Sequence, residues 1–113
     1  MIQRFEVRIL EQAYEFLEKL SLKHRKKILQ NIDRSKFQTD TKLFKKLEGE
    51  IWEFRTLYSG FQYRLLAFWD KSEKGQTLVF ATHGIVKKRS KLNKKEIQKA
   101  EHIRQQYFLN KQS

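Results

Sequence analysis

The feature that most constrains this chain is a change in the spacing of its apolar residues. From Leu10 to Ile32 they recur at helical intervals, and from Ile51 they follow a period of two. Leu10, Ala13, Tyr14, Leu17 and Leu20 predict one helix. A second begins near Leu22 and carries Arg25, Ile28, Leu29 and Ile32 on one side. The break at Leu20–Leu22 is short, which predicts a helical hairpin. Ile51–Tyr58, Phe61–Trp69 and Thr77–Ile85 are rich in aromatic and β-branched residues and read as strands. Ser59-Gly60 and Asp70–Gly75 are turn signals between them, so these strands are expected to pair antiparallel. Ile2–Val7 alternates as a short first strand. A last helix starts at Asn93, a candidate N-cap with Glu96 three residues on, and carries Ile97, Ala100, Ile103 and Tyr107 as its apolar stripe. The expected class is α+β: a small antiparallel sheet in the order β-α-α-β-β-β-α, with the helices on one side of it.

A length of 113 residues suits one domain spanning 1–113, and 39% hydrophobic content supplies one core. There is no Cys and no Pro. Absence of Cys in so short a chain favours a reducing, cytoplasmic setting over secretion. The N-terminus has no apolar run resembling a signal peptide, and no stretch approaches the roughly 18 apolar residues of a membrane helix.

Net charge is +12, and it is patterned. Residues 1–18, 19–46, 47–83 and 84–113 carry nets of −2, +8, −1 and +7. Two basic blocks flanking a near-neutral middle point to a polyanionic partner, with nucleic acid foremost.

If Ser59-Gly60 closes a two-residue hairpin, Arg55 lies directly opposite Arg64. Trp52, Phe54, Leu65, Ala67 and Trp69 then share the core face, and Glu53, Arg55 and Arg64 share the other. Opposed like charges are unfavourable by up to ~1 kcal/mol unless something anionic offsets them. Glu53 could do so from within the chain, and a phosphate could do so from outside, matched bidentately by guanidinium. After the last strand comes His83-Gly84-Ile85-Val86-Lys87-Lys88-Arg89-Ser90-Lys91, a basic run able to follow a phosphate backbone or simply to sit in solvent.

These residues, taken in order, resemble the RelE/ParE toxin superfamily, and within it the HigB-like, phage-derived branch. The resemblance rests on Lys46-Leu47-Glu48-Gly49, Trp52-Glu53-Phe54-Arg55, Tyr63-Arg64-Leu65-Leu66, His83-Gly84-Ile85-Val86-Lys87-Lys88 and Glu96-Ile97-Gln98-Lys99-Ala100. It covers about residues 1–108. It implies a RelE-like fold and the toxin of a type II toxin–antitoxin system. The implied activity is a metal-independent, ribosome-dependent endoribonuclease that cuts messenger RNA and stops translation. The implied partners are the ribosome, the message and a cognate antitoxin, often with a helix-turn-helix domain. Operator DNA would be bound only through the antitoxin complex. Two alternatives are a ParE-like gyrase inhibitor and a non-catalytic RNA-binding module. By position, Arg55 and Arg64 match the family's strand arginines, and Lys87 and Lys88 its terminal lysine pair. Phe54 stands where Leu is usual, and the loop after Lys88 lacks the Thr and Pro common there. RelE's tyrosine near the start of the last helix has no counterpart, since Tyr107 lies near the helix end.

RNA cleaves itself when its 2′-OH is deprotonated in line with the next phosphate. A protein promotes this with a base, an acid and cations for the charge on phosphorus. Arg55 and Arg64 suit charge stabilisation. Lys87 or Lys88 suits charge stabilisation too, or proton transfer if neighbouring cations lower its pKa. His83 has the most suitable chemistry for acid–base work near neutrality, the other reading being a buried or edge histidine held by backbone. His24 and His102 read as surface residues. Three separated histidines without Cys form no metal signature, and no cofactor is expected. Lys23, Lys26, Lys27, Arg89 and Lys91 are expected to grip RNA or ribosomal phosphates.

Overall fold

The computed structural model describes residues 2–88 and 92–112. In chain order the elements are β1 (Glu6–Ile9), α1 (Glu11–Glu18), α2 (Leu22–Ser35), β2 (Phe44–Glu48), β3 (Ile51–Tyr58), β4 (Phe61–Asp70), β5 (Leu78–Lys87) and α3 (Lys94–Gln112). The five strands form one sheet in the order β1-β5-β4-β3-β2. The class is α+β, as the periodicity predicts.

Three details differ from the expectation. The first strand begins four residues later than Ile2 and pairs parallel to β5, so the sheet is mixed. A further strand, β2, pairs antiparallel with β3 through a Gly49-Glu50 turn. Its alternation is hidden by adjacent Lys45 and Lys46 and by a bulge between Lys46 and Glu48. The helices also cover both faces. Ala13 and Leu17 of α1 and Ile28 and Ile32 of α2 pack on Phe5, Phe44, Phe54, Leu65, Ala67, Val79 and Ala81. Ala100, Ile97, Tyr107 and Phe108 of α3 pack on Ile51, Leu66, Phe68, Leu78 and Phe80 of the opposite face. Burial of each large side chain of this kind contributes about 1.5–3 kcal/mol.

The helices are held by specific polar contacts. Arg25 caps the end of α1, donating from Nε to the Leu17 carbonyl at 3.0 Å and from Nη2 to Leu20 at 3.2 Å. Gly84 has no side chain because the Phe16 ring of α1 lies where a Cβ would be. Asn93 caps α3, its Oδ1 accepting from the Lys95 amide at 2.9 Å. Glu96 does not close the expected capping box; its carboxylate turns to His83 instead.

At the far end of β4, Asp70 is 1% exposed. Its Oδ1 accepts from the Ser72 amide (2.9 Å) and hydroxyl (2.6 Å). Its Oδ2 accepts from Tyr107 Oη (2.6 Å) and Lys111 Nζ (2.7 Å). Burial alone would push this carboxyl up. The hydrogen bonds from Lys111, Ser72 and Tyr107 outweigh burial and hold it well below its ordinary 3.8. Tyr107 is thus part of the strap that ties α3 to the sheet.

Candidate nucleic-acid interface

Ser59 and Gly60 both adopt positive φ, 52° and 81°, the signature of a two-residue type I′ turn whose twist suits a hairpin. The register follows: Arg55 lies opposite Arg64, and Glu53 opposite Leu66. Glu53, Arg55 and Arg64 share the face on which α3 packs, beyond the apolar patch that α3 covers.

One carboxylate serves both arginines. Glu53 Oε1 is 3.3 Å from Arg64 Nε, and Oε2 is 3.5 Å from Arg55 Nε. Neither contact has hydrogen-bond geometry, so both Nε groups and Glu53 Oε1 are buried without a bonded partner. Arg64 is 4% exposed; it donates from Nη1 to the Tyr63 carbonyl (3.0 Å) and from Nη2 to Gln62 Oε1 (3.3 Å). Arg55 is more open, its side chain 28% exposed, with Nη1 donating to the Thr41 carbonyl at 3.0 Å. Lys42, Arg55, Thr56, Leu57, Gln62 and Arg64 line an open cavity of about 320 Å³.

Lys87 joins this group because of a bulge in β5. Ala81 pairs with Ala67 and His83 with Leu66, so Thr82 is the extra residue. Its Oγ1 lies 3.2 Å from the Leu66 carbonyl and 2.9 Å from His83 Nδ1. Without the bulge, His83 and Lys87 would fall on the α1/α2 face. With it, Lys87 pairs with Gln62, on the face of Arg55 and Arg64. Partial burial, then Arg64, Arg55 and Lys45, push the Lys87 pKa down against the opposing pull of Glu53. Burial also lowers the Arg64 pKa, with Arg55 adding to the effect and Glu53 resisting it. The cluster therefore gathers Lys45, Arg55, Arg64 and Lys87 around Glu53, with Lys42 on the wall of the adjoining cavity. An anion meeting it finds charge that the protein has left largely uncompensated.

The remaining candidates lie elsewhere. His83 is 3% exposed beneath α3, with Nε2 3.3 Å from Glu96 Oε1. It sits four residues from Lys87 along β5, about 13 Å at ~3.3 Å per residue. Burial and Lys99 lower its pKa despite Glu96, which favours the neutral ring. The ring is buried, beside the side chains of Thr82 and Glu96 rather than backbone. Lys88 follows the strand end, exposed. Lys23 and Lys26 are exposed and Lys27 partly so, all on α2, across the sheet from the arginines. Arg89 and Lys91 lie outside the described residues.

His24 is not a free surface residue. Its Nδ1 is 2.7 Å from Tyr63 Oη, and Tyr58, Phe61 and Tyr63 surround its ring. His102 is exposed on α3. Among the described residues, no group of three or more His, Asp or Glu side chains could hold a metal ion, and no helix is long and apolar enough to cross a membrane.

Residues 15–105 match the family model described as phage-derived protein Gp49-like (DUF891). The match spans most of the chain, so the protein belongs to the phage-derived Gp49-like family. No curated protein and no solved structure matches it.

Proposed function

We propose that this protein is the toxin of a type II toxin–antitoxin system and cleaves messenger RNA in the translating ribosome. The observation that carries this reading is the group of Lys45, Arg55, Arg64 and Lys87 around Glu53, beside an open cavity that Lys42 also lines. Membership of a phage-derived family is in keeping with the HigB-like resemblance.

In this reading Arg55 meets the scissile phosphate, and Arg64 adds positive charge from behind it. The 2′-oxygen forms a bond to phosphorus as the bond to the 5′-oxygen breaks, leaving a 2′,3′-cyclic phosphate and a 5′-hydroxyl. Lys87, as the neutral amine that its lowered pKa favours, takes the 2′-hydroxyl proton, and a solvent water protonates the departing 5′-oxygen. One weak proton-transfer group makes a poor free ribonuclease, and the ribosome supplies the missing orientation of the RNA. The cations of α2, on the other face, hold ribosomal phosphates. A cognate antitoxin, with an acidic segment complementary to these surfaces, is the partner that restrains the toxin.

The test is expression of wild type and Arg55→Ala in a translating extract, with the ends of messages mapped. Cuts made by wild type and missing from Arg55→Ala are expected. Intact messages with folded wild-type protein would overturn the reading. DNA damage with intact messages would replace it with a ParE-like gyrase inhibitor. Salt-sensitive RNA binding without cuts, on ribosomes too, would replace it with a non-catalytic RNA-binding module.

A further inference from the structure

A second surface lies at the other end of β3 and β4, on the opposite face from the arginine cluster. Trp52 and Trp69 pack edge to face there, 5.5 Å between ring centroids. Both are partly buried against the core. Together with Arg4, Lys46, Glu50 and Lys71 they line an open groove of about 520 Å³, to which α1 and α2 contribute no residue.

The rings are not sealed in. Lys71 is exposed, and its Nζ lies over the Trp69 ring, 4.8 Å from the centroid. That ring face is covered by a flexible cation that a flat π-system can displace. Lys46 is exposed and pairs with Trp52 across β2 and β3. Arg4 is fixed from below, its Nη2 donating to the Ser35 and Gln38 carbonyls at 2.6 and 2.9 Å. Three cations and two indoles against one carboxylate, Glu50, match a ligand with a flat ring and an adjoining negative charge.

We infer that this groove binds a nucleotide of single-stranded RNA, its base stacked on the Lys71-covered face of Trp69, at the edge of Trp52, and its phosphate held by Lys46 and Lys71. This rests on the RNA reading above and extends it to a second contact on the same strand. An acidic peptide would satisfy the lysines and leave the indoles unused. The geometry of β2 links the two surfaces. Lys45 and Lys46 are neighbours on the outer strand and point to opposite faces, Lys45 near enough to the arginine cluster to depress Lys87 and Lys46 into the groove. A strand crossing this edge touches both.

The chain contains two tryptophans, and both line the groove, so intrinsic emission reports directly on it. Titration of the full-length protein with a 2′-O-methyl hexauridylate, which cannot be cut, is expected to quench that emission saturably. Lys46→Glu with Lys71→Glu, both at exposed positions, should weaken binding about tenfold or more, and Glu50→Gln should tighten it. Binding seen by anisotropy of a labelled oligomer without a change in tryptophan emission would overturn the inference. So would unchanged affinity in the double reversal. Equal quenching by hexaglutamate would overturn it in favour of an acidic protein partner. The two readings fail separately: message cleavage without quenching removes the groove alone, whereas quenching without cleavage supports the groove and removes the nuclease.

Discussion

Two buried carboxylates lie on one face of the central hairpin, Glu53 opposite Leu66 and Asp70 four residues further along β4, and they are treated in opposite ways. Asp70 accepts four hydrogen bonds, from Ser72 twice, Tyr107 and Lys111. Glu53 lies 3.3 and 3.5 Å from two arginines, with neither contact in hydrogen-bond geometry. At Asp70 the charges and donors are matched, and the result is a strap between α3 and β4. At Glu53 the cations outnumber the carboxylate, and the result is an incomplete cluster beside an open cavity. Unmatched positive charge costs stability and persists where an anion is to be bound. The contrast separates a part of the molecule that holds the fold from a part that is kept available.

The contrast breaks first at Arg55. Its replacement by Ala relieves repulsion with Arg64 and removes the phosphate contact proposed for it. Cleavage in a translating extract should fall roughly 10²–10³-fold, as when one charge-stabilising donor is removed. Unfolding free energy, read from urea titration, should change by less than about 1 kcal/mol.

Asp70→Asn should show the reverse. Loss of the charge-assisted bonds should cost about 2–3 kcal/mol, and cleavage per folded molecule should persist. The pH dependence sharpens this. The Asp70 carboxyl is held below its ordinary 3.8, so its contribution is full above that value and is lost as pH falls through the folded-state pKa. Urea midpoints should therefore drop for wild type below about pH 4 and drop less for Asp70→Asn.

The two terminal lysines should separate. The bulge at Thr82 turns Lys87 toward the arginines. Lys87→Ala should lower cleavage by one to two orders of magnitude, within the roughly 10²–10⁴-fold range of proton-transfer groups or just under it. Lys88→Ala should lower it far less. Both should leave stability within about 0.5 kcal/mol. If Lys87 acts as the base, the rate should climb with pH up to an inflection below 10.5, because the neutral amine is the active form. Lys87→Arg should abolish that limb.

The smallest effect belongs to α2. Reversing Lys23, Lys26 and Lys27 should weaken ribosome binding and reduce its salt slope by about 0.7–0.9 for each phosphate no longer neutralised. Cleavage at saturating protein should survive, since these residues lie across the sheet from Arg55.

Much of this was legible because a two-residue turn fixes register. Ser59-Gly60 alone places Arg55 against Arg64 and sorts Trp52 and Phe54 onto the other face. Features that depend on departures from regular alternation were not legible. The bulge in β2 hid a strand. The bulge at Thr82 decided that His83 goes under α3 and that Lys87, rather than Lys88, faces the arginines. Long-range side-chain partners were equally hidden. Glu96 looks like half of a capping box until His83 is seen beside it. His24 looks exposed until Tyr63, 39 residues away, is placed against its ring. Nothing in the spacing of Asp70 and Lys111 announced a strap.

The most direct measurement places Arg55→Ala and Asp70→Asn side by side, with message cleavage and urea unfolding read on the same preparations. The expected result is a crossing: Arg55→Ala stable and inactive, Asp70→Asn weakened and, where folded, active. Arg55→Ala that cuts messages like wild type, or that loses as much stability as Asp70→Asn, would contradict the assignment of the unmatched cluster to function.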